Sequence, residues 1–144
     1  MKITSIFTCL SIAFTLMLVI ISCDDKDGYS DAPNFDSGPF TIDSNGLDSV
    51  FVASNDVDWQ FLDLTVNGKQ LLLSDNSLET KEKKTSSGAD MIYLIKGEWF
   101  TLEKLDNKRI QVSIDENEGK VRSLDFTVHN GNGFRKISFN QDDQ

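Results

Sequence analysis

The sequence predicts an all-β domain, a two-layer antiparallel sandwich of about eight short strands, set behind an apolar leader. Three observations carry this. Apolar residues recur with a period of two in one run after another. Asn-Gly and Gly-rich turn signals separate the runs. No stretch after the leader has the 3.6-residue periodicity of an amphipathic helix.

The leader comes first. Lys2 and the α-amino group give a positive end, and Ile3 to Ile21 carry no charge. A positive start, an apolar stretch and a small residue make an export signal. The stretch is also about long enough to span a bilayer, so an uncleaved anchor is an alternative, as is plain secretion. Ile20, Ser22 and Cys23 resemble the lipobox of bacterial lipoproteins: an aliphatic residue three before the Cys, a small one next to it, then the Cys. That resemblance implies a signal peptide over 1–22 and lipid on the Cys23 sulfur. The other cysteine, Cys9, would leave with the signal. The mature chain would then hold no disulfide and would stand on core packing alone. Each buried methylene of the lipid adds ~0.8 kcal/mol, so attachment would be close to permanent.

Residues 23–38 read as a flexible acidic tether. They are rich in Asp, Gly and Ser and have few apolar groups to offset chain entropy. Asp24, Asp25 and Asp27 have two readings. One is a solvated leader repelled by anionic head groups. The other rests on likeness to the acidic tag that sends Bacteroidetes lipoproteins to the outer face of the outer membrane.

The domain is expected over 39–144. Phe40-Thr41-Ile42 and Val50-Phe51-Val52 form two short strands separated by Asn45-Gly46. Leu62, Leu64 and Val66 alternate with polar residues, and Asn67-Gly68 closes a hairpin after them. Leu71-Leu72-Leu73 and Met91 to Ile95 are continuous apolar runs, suited to deeper burial. Ser74 to Asp90 is polar and reads as a long exposed loop, with room for one helical turn. Ile110, Val112 and Ile114 alternate, as do Leu124, Phe126 and Val128, and Ile137 and Phe139. Glu118-Gly119 and Asn130-Gly131-Asn132-Gly133 supply the remaining turns.

Composition excludes some functions. Removing Lys2 with the signal leaves 13 basic against 23 acidic residues, a formal charge of −10. Nucleic-acid binding needs clustered Lys and Arg, so nucleic acid is not an expected partner. No Gly-x-Ser-x-Gly occurs, the single histidine is His129, and no catalytic set stands out, so no enzyme and no cofactor are expected. A lone His with no remaining Cys does not make a usual metal site. The loop Asp115-Glu116-Asn117-Glu118-Gly119 gathers oxygens but lacks EF-hand spacing, and reads as a solvated hairpin.

From about Phe40 to Gln141 the chain resembles the BACON domain, an immunoglobulin-like module of Bacteroidetes surface proteins. The likeness lies in Asp58-Trp59 after an early strand, Glu98-Trp99-Phe100-Thr101, Ile110 to Ile114 ending near Asn117, Arg122 opening the next strand, and the closing Ile137-Ser138-Phe139-Asn140-Gln141. The insertion at Ser74 to Asp90 lengthens the gap between the two tryptophans. The resemblance implies an immunoglobulin-like sandwich of seven to eight strands. It also implies a role near carbohydrate-active proteins, either in glycan recognition or as a spacer.

Trp59, Trp99, Phe100 and Tyr93 are the candidate ligand contacts, because aromatic faces stack on sugar rings. The structural alternative is a core role, the usual place of a Trp in such sandwiches. Neighbouring strand residues point to opposite faces, so Trp99 and Phe100 should not both be inside. Asp48-Ser49-Val50 resembles the Asp-Ser-aliphatic acceptor of O-glycosylation in these bacteria, which marks Ser49. The expected protein is an outer-membrane lipoprotein, cell-surface or periplasm-facing, held by lipid on Cys23. It would recognise a polysaccharide or a neighbouring surface protein. The alternative is an accessory subunit with no ligand of its own.

Overall fold

The computed structural model describes residues 28–144. The signal segment, the lipidation site Cys23 and the start of the tether lie outside these residues. Ten strands follow in order: β1 (Phe40–Ile42), β2 (Leu47–Val52), β3 (Gln60–Val66), β4 (Lys69–Leu71), β5 (Glu79–Lys84), β6 (Asp90–Lys96), β7 (Phe100–Lys104), β8 (Arg109–Ile114), β9 (Arg122–Asn130) and β10 (Gly133–Gln141). They form two five-stranded sheets, β1-β10-β9-β3-β4 and β2-β8-β7-β6-β5. β1 runs parallel to β10, and the other pairings are antiparallel. The predicted all-β sandwich is observed.

Alternation explains the layers. In β9, Leu124, Phe126 and Val128 are buried while Asp125 and Thr127 face outward. Leu64, Phe126, Val128, Ile137 and Phe139 of the first sheet meet Ile95, Leu102, Ile110 and Val112 of the second, none more than 1% exposed. Full burial of such a side chain contributes ~1.5–3 kcal/mol. Aromatic rings run along the inner face of the first sheet. Phe35 meets Trp59 edge-on at 5.5 Å, Trp59 meets Phe61 at 5.3 Å, and Phe126 stacks on Phe139 at 6.1 Å.

The structure departs from the expected elements in four places. First, Ser74 to Asp90 is not one long loop. Glu79–Lys84 forms edge strand β5 against β6. Its charged residues hid the strand, and on an edge such charges also block further pairing. Second, β7 is an added strand whose inward positions are Phe100, Leu102 and Lys104. A lysine at the third inward position broke the alternation. Third, Leu71 is buried but Leu72 is 70% exposed, because β4 ends at Leu71. Fourth, Leu62 is 43% exposed and Phe61 is buried in its place, because a bulge between Phe61 and Asp63 shifts the register of β3; Asn45-Gly46 separates β1 from β2 as expected. Asn67-Gly68 does close the β3–β4 hairpin, with φ of 52° and 77° as a type I′ turn requires.

The segment before β1 is also not wholly spacer. Residues 28–38 form a strap across one end of the sandwich. Phe35 is 2% exposed and plugs the core beside Trp59. The Ser30 amide donates to Asn132 Oδ1 at 2.8 Å, and Asn132 Nδ2 donates to the Gly28 carbonyl at 2.7 Å. Asn55 Nδ2 donates to the Ala32 carbonyl at 2.8 Å, and Arg135 donates to the Pro33 carbonyl and to Asn34. The folded unit therefore starts ahead of residue 39. Pro33 and Phe35 are the apolar groups that make this possible in an otherwise polar stretch.

Candidate functional site

Three of the four aromatic candidates are buried, and the fourth, Tyr93, is partly so. Trp59 is 1% exposed, and its Nε1 donates to the Asn107 carbonyl at 2.8 Å. It belongs to the core and latches the β7–β8 turn. Trp99 and Phe100 are both buried, against the expectation that one of them faces out. Trp99 lies in the bend before β7, so strand alternation does not reach it. Its ring meets Phe100 edge-on at 5.3 Å, and the Arg122 guanidinium covers it at 4.3 Å. Burial lowers the Arg122 pKa, opposed by the nearby charges of Asp115 and Glu98. Arg122 also donates to the carbonyls of Asp115 and Glu116, so it holds that loop. Tyr93 is partly buried in β6, with Lys83 Nζ 5.4 Å above its ring.

The other marked residues have structural places. Asn117 is buried; its Nδ2 donates to the carbonyls of Lys120 and Asp142. It shapes the Asp115–Gly119 loop. Among the described residues no group of three or more His, Cys, Asp and Glu could hold a metal ion. His129 stacks on Phe134 at 5.9 Å, and Phe134 is 55% exposed. Ser49 is half-buried at the middle of β2, on the same face as Leu47 and Phe51. Its neighbour Asp48 accepts hydrogen bonds from Gln111 and Ser113.

A polar cleft of about 840 Å³ opens where the strap closes the sandwich. Three turns build it: residues 53–58, the β5–β6 turn and the β7–β8 turn. Its floor is Lys104, whose side chain is 2% exposed. The ammonium donates to Asp58 Oδ1 at 2.7 Å and to the Trp59 carbonyl at 2.5 Å, and stands 4.8 Å from the Trp59 ring centroid. Burial is tolerable because each direction offers a partner.

The β7–β8 wall is firmly held. Asp106 accepts from the Lys108 amide at 2.9 Å and from Arg109 Nε at 2.7 Å. Those bonds, the Arg109 one foremost, lower the Asp106 pKa below the ordinary aspartate value. The Ala53 amide donates to the Lys108 carbonyl at 2.7 Å. On the opposite wall, the β5–β6 turn is closed by the Thr85 amide donating to the Ala89 carbonyl at 2.8 Å.

Charge is segregated here. The described residues hold 12 Lys and Arg (14 less Lys2 and Lys26) and 20 Asp and Glu (23 less Asp24, Asp25 and Asp27). Five of the 12 line the cleft (Lys83, Lys84, Lys104, Lys108, Arg109), against three of the 20 (Asp56, Asp58, Asp106). Lys104 pairs with Asp58, Arg109 with Asp106 and Lys84 with Asp90. Among the described residues, Lys83 and Lys108 have no carboxylate at ion-pair distance. A second, smaller cleft of about 620 Å³ lies at the other end, beside Trp99, Glu98 and Arg122.

None of the candidate ligand contacts lines the main cleft, although Trp59 lies just beneath its floor. The available signal was the run Lys81 to Lys84, which read as a solvated loop.

Comparison with known proteins is spare. No family model matches the chain, and no curated protein matches it. A solved NMR structure of a protein from Bacteroides thetaiotaomicron is similar, with a TM-score of 0.58 and 23% identity, over 86% of this chain and 98% of that one. At that identity the likeness concerns the fold alone.

Proposed function

We propose that this chain is a non-catalytic recognition module, anchored to the outer membrane by lipid on Cys23 and exposed at the cell surface. It binds a glycan, and the observation that supports this is the charged cleft at the strap end of the sandwich. The cleft has a fixed floor in Lys104, two braced turns as walls, and open access. A ligand site needs this combination of a preorganised base and polar groups left free to bond. The aromatic route to sugar binding loses its support, because both tryptophans serve the core.

Four residues separate Cys23 from Gly28, five residue steps in all, so a lipid on Cys23 keeps the strap end within ~18 Å of the bilayer even at full extension. That position suits a polymer displayed on the same surface.

The test has two parts. Palmitate labelling and membrane fractionation should follow Cys23 and vanish in Cys23→Ala. The mature chain should be retarded in native gels containing at least one surface polysaccharide, and Ser86→Trp, which fills the cleft mouth, should abolish retardation. Free migration through every polysaccharide would sink the recognition function.

One observation favours the accessory-subunit alternative. β2 is a sheet edge, and its outward residues Val50 and Val52 are 46% and 60% exposed. An apolar edge strand of this kind suits pairing with another chain. Capture of a stoichiometric protein partner that is lost in Val50→Lys would move the function there.

A further inference from the structure

We infer that the ligand of the cleft is an acidic glycan, one carrying carboxylate or sulfate groups, and that Lys83 and Lys108 are the cations that meet it. This rests on the recognition function proposed above and names its substrate class.

The first ground is charge. The cleft lining carries a formal +2 (five cations, three carboxylates), while the described domain as a whole carries −8 (12 against 20). A uniformly acidic surface would repel a polyanion, so the local excess of cations makes this end of the described domain a favourable place for such a chain to settle.

The second ground is that two of the cations are left over. Among the described residues Lys84, Lys104 and Arg109 are each engaged by an aspartate, whereas Lys83 and Lys108 are not. Lys108 is nevertheless fixed in place, since its amide and its carbonyl are both bonded. Its charge is thus presented from an ordered backbone, which lowers the entropy lost on binding.

The third ground is register. β5 pairs Lys81 with Leu94 but Glu82 with Ile92, so Tyr93 forms a bulge in β6. Past the bulge, Lys83 stands opposite Met91, which is buried and lines the cleft. A shift of one residue exchanges the faces of a strand. Without the bulge Lys84 would stand opposite Met91 with Glu82 on the same face; with it, Lys83 takes that place and Glu82 turns to the other face.

The rest of the lining suits a polyhydroxyl chain. Ser86 and Asn107 bring a hydroxyl and an amide to the walls, and Val52 and Leu105 bring aliphatic surface for ring faces. The volume, about 840 Å³, falls inside the ~300–1,000 Å³ of typical ligand sites.

The test uses the mature chain and matched polymers in affinity electrophoresis. Dextran sulfate is set against dextran, polygalacturonate against its methyl ester, and polyglutamate serves as a polyanion without sugar. The expected result is retardation by at least one of the two acidic glycans, weaker or none by its neutral counterpart and by polyglutamate. Which acidic glycan retards it distinguishes sulfate from carboxylate. Lys83→Ala/Lys108→Ala should weaken retention roughly three- to tenfold, as for two exposed charge contacts. Lys69→Ala/Lys96→Ala has the same net charge but lies outside the cleft, and should leave retention unchanged. If the first double variant does not fold, Lys108→Ala alone serves. Retention by neutral polymers alone overturns the acidic-glycan class while leaving recognition standing. Equal retention by polyglutamate, or equal loss in the two double variants, also overturns it.

Discussion

Replacing Lys104 with methionine tests the cleft floor most directly. The aliphatic stem survives, so the packing between Met91 and Trp59 is kept and only the ammonium is removed. That ammonium donates to the Trp59 carbonyl at 2.5 Å and to Asp58 at 2.7 Å. The carbonyl bond is buried and charge-assisted, worth ~1.5–3 kcal/mol. Asp58 is 65% exposed, so its pair counts as a surface one, ~0.2–1 kcal/mol. The indole face adds ~1–2 kcal/mol. Against these stands the desolvation of a charge that is 2% exposed, several kcal/mol before its bonds are counted. The balance is a loss of about 2 kcal/mol in Lys104→Met, or roughly 8 °C in Tm at about 4 °C per kcal/mol. Asp58→Asn should cost less than about 1 kcal/mol, because the carbonyl bond remains. Urea unfolding followed by tryptophan fluorescence reads both. A Lys104→Met protein as stable as the parent would refute the reasoning, since the ammonium would then return no more than its burial costs.

Three further outcomes follow from the geometry. Phe35→Ala should lose about 3–4 kcal/mol, as for a large aromatic removed from a packed core. If residues 28–38 were only a spacer, its thermal midpoint would match the parent's. Gly46→Ala should lose 2 kcal/mol or more, because φ there is +90° and an added Cβ would meet the Ile114 carbonyl oxygen; an unchanged unfolding curve contradicts this. Asp106 is held below the ordinary aspartate pKa by Arg109 and by the Lys108 amide. Its native carboxylate therefore stabilises the β7–β8 turn above pH ~3.9, and that stabilisation fades as pH falls through the lower native value. The amide shift of Lys108 should titrate with a midpoint under that of a free aspartate, and a midpoint at or above it would show the turn bonds to be absent.

What the sequence discloses depends on how local the cause is. β8, β9 and β10 are legible because alternation is a property of neighbours along the chain, and each strand keeps it over several pairs. β5 and β7 are not, because what makes them strands is the partner beside them. The rule that set Trp99 against Phe100 holds inside a strand; Trp99 sits one residue before β7 begins, where backbone direction is set by the Lys96–Trp99 turn and by the Arg122 lid. The strap was hidden for a similar reason: one phenylalanine in a run of Asp, Ser and Asn counts for little in composition, yet in space it ends the aromatic stack that starts at Phe139. The cleft is the furthest from local. Its two unpaired cations come from separate elements, β5 and the β7–β8 turn, and that Lys83 stands opposite Met91 while Glu82 faces away is decided by a bulge in the neighbouring strand. Besides the charged run Lys81 to Lys84, Lys104 leaves a trace, as the one charged residue at an inward position of the Phe100–Lys104 run. A lysine at an inward position of a sandwich strand has to find an acceptor or reach water, and both needs place it at an end of the core, under an opening. That inference is available from sequence once the strand is recognised, and it leads to the same cleft that the packed structure displays.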